Sequence, residues 1–253
     1  SFSPNGNLLA GGGINQDVFV WDVNNGELIF SLPVSYDVVD ALSFSPDGNF
    51  LAISAFNDPT PNVEVTLWDL QTGQLANTLS LRDTAEIVNL NIGNDAQSES
   101  PTWSVSDIVF LQEQAGRDNV IAITIEHHSA QEDNTVLYFW DIGSQELTEV
   151  LTGIHGKNLA VSLNGQLLVA EIDEHLQVLD IPNKTVRLDL DPRSAASTTR
   201  LGLSDMGLLA RLERGDGVTL WNTDGDLLAT LETDKTISNI IFTPNGDLVV
   251  ASY

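Results

Sequence analysis

The chain has no cysteine, one methionine and only ten lysines and arginines, and no apolar run in it approaches the length of a membrane span. Without cysteine, a disulfide framework, a thiolate zinc site and a cysteine nucleophile are all excluded. The ten cations face 36 Asp and Glu, giving a formal charge of −26 and a pI near 4.1. A surface this acidic is poorly suited to phosphates, which excludes nucleic acid as the expected partner. Helical periodicity is missing throughout, and the segments are instead rich in Val, Ile, Leu, Phe and Thr. What is present is 253 residues, 42% of them hydrophobic, with a mean hydropathy of zero. That is enough apolar surface for a real core, and one large all-β domain is expected.

Three signals recur in a fixed order along the chain. Tight turns close apolar segments at Phe2-Ser-Pro-Asn-Gly6, Phe44-Ser-Pro-Asp-Gly48, Leu163-Asn-Gly165, Ser204-Asp-Met-Gly207 and Phe242-Thr-Pro-Asn-Gly246. Pro presets φ there and Gly accepts a positive φ. Next come strands ending in Trp-Asp or a relative: Val18-Phe-Val-Trp-Asp22, Val65-Thr-Leu-Trp-Asp69, Leu137-Tyr-Phe-Trp-Asp141, Leu176-Gln-Val-Leu-Asp180 and Val218-Thr-Leu-Trp-Asn222. A polar turn such as Asn24-Asn-Gly-Glu27 or Gln71-Thr-Gly-Gln74 then leads into a further strand. The markers at 21, 68, 140, 179 and 221 are spaced by 47, 72, 39 and 42 residues. A period near forty with four short strands per unit is that of a propeller blade, and the long interval is a blade with insertions.

These residues, above all FSPDGNFLA followed by VTLWDLQTGQL, resemble the WD-repeat β-propeller family over essentially the whole chain. The Gly-His pair that often opens a family repeat is missing, Asn15 and Gly215 replace its turn Asp, and Leu179 replaces a Trp. The hydrogen-bonded tetrad that the resemblance implies is therefore expected to be incomplete, with apolar packing between blades holding the fold. The resemblance gives blades at about 1–33, 34–81, 82–152, 153–191 and 192–233, with a partial one at 234–253. An unclosed ring would expose apolar faces and strand edges, so the natural polypeptide is expected to extend beyond both ends to six or seven blades.

No catalytic motif survives inspection. Gly202-Leu-Ser-Asp-Met206 fails the nucleophile-elbow pattern at its last position, and Gly11-Gly-Gly13 opens no helix and lacks a phosphate-binding Lys. Asp189/Asp191 and Asp224/Asp226 fall at strand ends or turns, where acids are ordinarily solvated. His127-His128 beside Glu126 is the most metal-like group, but neighbours on a strand point to opposite faces, so chelation requires the strand to have ended. A pH-responsive surface is the other reading of those histidines. Arg214-Gly-Asp216 spells a cell-adhesion tripeptide at a position that needs a tight hairpin, and the turn explains it. Asn183-Lys-Thr185 matches a glycosylation acceptor. No cofactor and no metal is expected.

The expected function is a non-catalytic interaction scaffold, partly by analogy with the family. Strand parity places second-to-third hairpins and blade-to-blade connections on one side of the ring, and three enlargements lie there: residues 57–62, 82–102 and 126–135. Partner-binding candidates are accordingly Asn57, Asp58, Pro59, Thr60, Trp103, Glu126, His127, His128, Glu132 and Asp133, with the alternative that Trp103 anchors its insertion onto the ring. The partner is expected to be another protein, basic if steered by charge, with no nucleic acid and no membrane insertion. Two alternatives stand beside this: an enzyme or small-ligand binder using Asp40 and Asp107 at the central channel, and a surface or filament subunit. Asp outnumbering Glu 23 to 13, with only 3 Lys, points to an extracytoplasmic or salt-exposed setting, plain solubility being the other account.

Overall fold

The computed structural model describes the chain except residues 14–16, 35–37, 58–61, 81–101, 112–119, 129–133, 163–164, 173–174, 184, 191–197, 214–216, 233–235, 244 and 253. For 57, 62–63, 102–104, 106, 126–128, 134–135, 148–159, 171–172, 198–199, 213, 238 and 251–252 it describes the backbone alone. Every regular element among the described residues is a β-strand. Two compact units divide the chain: Ser1–Phe110 with Asn119–Val150, and Leu111–Asp118 with Leu151–Tyr253.

In the first unit, β1 (Leu8–Gly11), β2 (Asp17–Asp22) and β3 (Leu28–Pro33) form a three-stranded sheet. A four-stranded sheet follows from β4 (Val38–Phe44), β5 (Phe50–Asn57), β6 (Asn62–Asp69) and β7 (Gln74–Ser80). The third blade runs β8 (Thr102–Leu111), β9 (Val120–His128), β10 (Asn134–Asp141) and the start of β11 (Glu146–Val161). In the second unit the later part of β11 pairs with β12 (Leu167–Ile172), which leads to β13 (His175–Asp180) and β14 (Thr185–Leu190). A four-stranded sheet follows from β15 (Thr198–Leu203), β16 (Leu208–Glu213), β17 (Gly217–Asn222) and β18 (Leu227–Glu232), and then the pair β19 (Ile237–Phe242) and β20 (Leu248–Ser252). One strand, β11, thus ends one repeat and begins the next, which no turn signal in the sequence separates.

Period-two alternation drives the packing. Along β5, Leu51, Ile53 and Ala55 face the first blade, while Ala52 faces the third. Both faces are buried, which is why FLAISAF reads as a nearly unbroken apolar run. Each such side chain withdrawn from water contributes about 1.5–3 kcal/mol. In the second unit, Leu167, Val169 and Val178 pack on Leu201, Leu203 and Leu209, and Ala210, Leu212 and Val218 pack on Ile240 and Phe242.

Two irregularities repeat with the sequence. After four of the five Trp-Asp-type strands the outer strand carries one extra residue, so Trp21, Trp68, Leu179 and Trp221 pair with Leu28, Leu75, Val186 and Leu227 across a bulge. Such bulges bend an edge strand and blunt it against foreign pairing. The innermost strands β4, β15 and β19 each bulge at the same point, between Val39 and Ala41, Thr198 and Arg200, and Ile237 and Asn239. The Asp of the repeated pair is a turn cap: Asp69 Oδ1 accepts the N–H groups of Gln71 and Thr72, and Asp141 Oδ1 those of Gly143 and Ser144.

Candidate functional site

Ladder length distinguishes the blades. Between second and third strands the pairing always starts at the Asp or Asn of the repeat. It covers six residue pairs in the fourth and fifth blades, from Leu167↔Asp180 to Ile172↔His175 and from Leu208↔Asn222 to Glu213↔Gly217. In the second and third blades it covers eight, from Phe50↔Asp69 to Asn57↔Asn62 and from Val120↔Asp141 to His127↔Asn134. Two more pairs at a rise near 3.4 Å lengthen these hairpins by about 7 Å. Both blades share one apolar cluster, in which Ala52, Val65 and Leu67 meet Ile121, Ile123 and Tyr138. The Asn77 amide donates to the Ile142 carbonyl at the Asp-turn end, so the two long hairpins leave together from the opposite end.

Asn57 therefore closes the β5–β6 ladder against Asn62, while Asp58, Pro59 and Thr60 lie outside the described residues. Glu126 and His127 pair with Thr135 and Asn134, and His128 ends β9; their side chains, and all of Glu132 and Asp133, lie outside the described residues. Trp103 falls on β8, with its side chain likewise outside. One correction follows. The strand does not end before the histidines: β9 runs through His127 and ends at His128, so residues 126–128 belong to the strand and only 129–133 separate it from β10. Among the described residues no group of three or more His, Asp and Glu could hold a metal.

Asp40 is the bulged residue of β4 and is exposed, on the end of the blade from which the long hairpins leave. Asp107 on β8 is half-buried, and its Oδ1 accepts the Ile108 N–H at 2.9 Å. The Asp189 carboxylate is not merely solvated. Its Oδ1 lies 2.7 Å from His175 Nδ1, and its Oδ2 accepts from Gln177. That pair is about half exposed on both sides (45% and 47%), so it adds little stability.

Charge is divided very unevenly, a feature composition totals hide. The first 81 residues contain no Lys, Arg or His at all. The first unit holds 20 acids against one cation, Arg82, a formal −19; the second holds 16 against nine, a formal −7. The long hairpins thus stand on the strongly acidic half.

Comparison with known proteins agrees with this architecture. The family model described as WD domain, G-beta repeat matches residues 1–22. Protein tipD of Dictyostelium discoideum is 26% identical over 91% of this chain and 40% of its own length. The transcriptional corepressor LEUNIG_HOMOLOG of Arabidopsis thaliana is 23% identical over 99% of this chain and 28% of its own. The small ribosomal subunit protein RACK1 of Caenorhabditis elegans is 35% identical over 27% of this chain and 19% of its own. The chain thus spans well under half the length of these relatives. Among solved structures, the Dos1 propeller superposes with a TM-score of 0.66 at 18% identity, covering 99% of this chain and 63% of that one. The Cps50 (Swd1) β-propeller domain of Myceliophteria thermophila gives 0.55 at 14%, covering 100% and 91%. Recurring Trp-Asp strands, four-stranded antiparallel sheets and these likenesses converge on a β-propeller fold, and the chain is similar to WD-repeat proteins.

Proposed function

We propose that this protein is a non-catalytic scaffold that holds a protein partner on the hairpin face of its second and third blades. WD-repeat propellers generally serve as protein-interaction scaffolds. Two of the relatives are named a small ribosomal subunit protein and a transcriptional corepressor. The observation that carries the finer reading is the pair of lengthened hairpin ladders, eight pairs against six, on the unit with a formal −19. Long loops on a rigid scaffold are where binding concentrates, and a surface of one sign selects and steers a partner of the other. The partner is accordingly a basic protein, and Asn57, Asp58, Pro59, Thr60, Trp103, Glu126, His127, His128, Glu132 and Asp133 are the residues offered to it.

Cutting both hairpins back to six-pair ladders, and replacing residues 82–102 by a short turn, tests this reading. Affinity capture from the native source, followed by mass spectrometry, should lose the partner in the trimmed protein and keep it in the parent. Circular dichroism must show that the trimmed protein still folds. Capture that survives in a folded trimmed variant places the site elsewhere.

A further inference from the structure

Asparagine followed by glycine occurs at residues 5–6, 25–26, 164–165 and 245–246, and residue 164 lies outside the described residues. The other three all sit in exposed turns with the glycine at positive φ: 73° at Gly6, 74° at Gly26 and 83° at Gly246. In each, the glycine N–H donates to a backbone carbonyl, that of Ser3, Asp22 or Thr243, at 2.8, 2.8 and 2.9 Å. The backbone is therefore engaged alike in all three. The side chains are not.

Asn5 Oδ1 accepts two hydrogen bonds, from the Ser3 hydroxyl at 2.9 Å and from the Asn7 N–H at 3.0 Å. Asn25 is held at both ends of its amide: Oδ1 accepts the Glu27 N–H at 2.9 Å, and Nδ2 donates to the Glu27 carboxylate at 3.2 Å. Asn245 has no side-chain hydrogen bond among the described residues. The cause is the length of its turn. In the first blade, Ser3 N–H reaches the carbonyl five residues on, at Leu8, which leaves Asn7 free to clamp Asn5. In the last sheet, Thr243 N–H reaches the carbonyl four residues on, at Asp247, and the Asp247 N–H is diverted to Thr243 Oγ1 at 3.0 Å. The donor that pins Asn5 is used up elsewhere, and the Asn245 amide is left to rotate.

We infer that Asn245 is a site of spontaneous deamidation and aspartyl isomerisation, favoured over Asn5 and Asn25 by this difference in restraint. In the reaction, the Gly246 backbone nitrogen loses its proton to water and bonds to Asn245 Cγ. Collapse of the adduct breaks the Cγ–Nδ2 bond and releases ammonia, leaving a five-membered succinimide. Water then opens the ring at either carbonyl, giving aspartate or isoaspartate. The sum is amide plus water to carboxylate plus ammonium, with no oxidant or reductant. Aspartate at this position turns the turn sequence into Thr-Pro-Asp-Gly, matching Ser45-Pro46-Asp47-Gly48 of the second blade. Isoaspartate instead adds a backbone carbon next to the Phe242↔Leu248 pair, where β19 meets β20.

The whole chain is incubated in dilute bicarbonate at mildly alkaline pH, and peptide mapping follows the gain of one mass unit and the isoaspartate content at each of the three sites. A parallel incubation in concentrated guanidinium chloride gives the unrestrained rates. Folded protein should convert Asn245 several-fold faster than Asn5 and Asn25, and the three rates should draw together when the chain is unfolded. The Asn245→Asp variant should lose the fastest-forming acidic species while keeping the slower ones. Equal rates at the three sites in the folded chain, or Asn5 or Asn25 converting first, overturn the inference.

Discussion

The indole N–H of Trp68 donates to Thr66 Oγ1 at 3.2 Å, and the Thr66 hydroxyl reaches back to the Ile53 carbonyl on the neighbouring strand. Two residues of the same strand thus settle the one polar atom that a buried tryptophan brings with it. Thr66→Val keeps the shape and removes the acceptor, leaving the indole N–H buried without a partner. The expected cost is about 1–3 kcal/mol in chemical denaturation, with Thr66→Ser recovering most of it. The third blade shows the contrast: Trp140 is fully buried, and its Nε1 has no hydrogen-bond partner among the described residues. Equal stability of Thr66→Val and the parent would mean that Trp68 is already in the same state as Trp140.

Gln145 is the one non-glycine with positive φ among the described residues, at 62°. It occupies the turn position that Gly26 and Gly73 hold in the first two blades, at φ of 74° and 68°. A side chain there costs about 1–2 kcal/mol of backbone strain. Gln145→Gly should therefore raise the stability of the protein, by about 1 kcal/mol after the added flexibility of the unfolded chain is subtracted. Gly73→Ala should do the reverse and more. Its new Cβ would stand 2.9 Å from Phe30 Cε1 as well as adopting the disfavoured φ. At Gly6 the same change meets open space, so Gly6→Ala should cost less than Gly73→Ala. Melting curves of the three variants decide the order.

How far the sequence revealed this architecture depends on what kind of interaction sets each part. The Trp-Asp strands and Pro-Asp-Gly turns are local: φ preferences and period-two alternation fix them within a few residues, and they are legible. The bulge beside Trp21, Trp68, Leu179 and Trp221 leaves no local mark, because it comes from one strand curving around its neighbour. The continuity of β11 was hidden for a similar reason, since no Gly-Pro turn interrupts it and its two parts serve different partners. At the candidate site, the long intervals between markers pointed to the second and third blades. They could not divide each interval into ladder and loop. Residues 126 and 127, which the sequence places in a loop running to 135, are the last paired residues of β9, and His128 ends the strand.

Asp47 supplies a pH prediction. Burial pushes its carboxyl up, but hydrogen bonds from the Ser45 hydroxyl, the Asn49 N–H and the Asn49 amide outweigh that and hold it below the ordinary aspartate value. A depressed folded-state pKa adds stability that is complete above the unfolded value, near 3.8, and is lost as pH falls through the folded one. Asp47→Asn should keep the turn, since Asn5 makes the corresponding bonds to Ser3 and Asn7 in the first blade. Between pH 5 and 2, roughly the range in which carboxylates titrate, its melting temperature should fall less steeply than that of the parent. Parallel curves for the two proteins would remove Asp47 from the acid transition.

Self-repulsion gives a further expectation. With a formal −26 on 253 residues, the folded chain should gain stability as salt screens its charge, since the Debye length shrinks from about 30 Å at 0.01 M to about 3 Å at 1 M. Sodium chloride should raise the melting temperature, and the first unit, at −19, should respond more than the second, at −7. Hydrogen exchange at low and high salt reads the two separately. A flat melting temperature across that range would falsify the expectation.

The last prediction concerns Leu231, whose counterparts in the first two blades are Leu32 and Leu79. Each lies four residues after the leucine that pairs with the repeat tryptophan: Leu28, Leu75 and Leu227. Leu32 is 1% exposed and Leu79 7%, because a following four-stranded sheet covers them, yet Leu231 is 43% exposed. The sheet that follows it has two strands, β19 and β20, and these cover the inner strands of the fifth blade through Ile240 and Phe242 without reaching β18. On the far side of the same pair, Ile241 and Val249 are 61% and 47% exposed. With no strand paired to the outer edge of β20 among the described residues, Leu231 stands uncovered. In the 253-residue chain, Leu231→Ala should change stability by no more than about 0.5 kcal/mol, as surface substitutions do. Leu79→Ala should cost about 2–4 kcal/mol by removing buried methyl groups and leaving a cavity. If Leu231→Ala proves as damaging as Leu79→Ala in chemical denaturation, Leu231 is covered in solution and this account of the fifth blade is wrong.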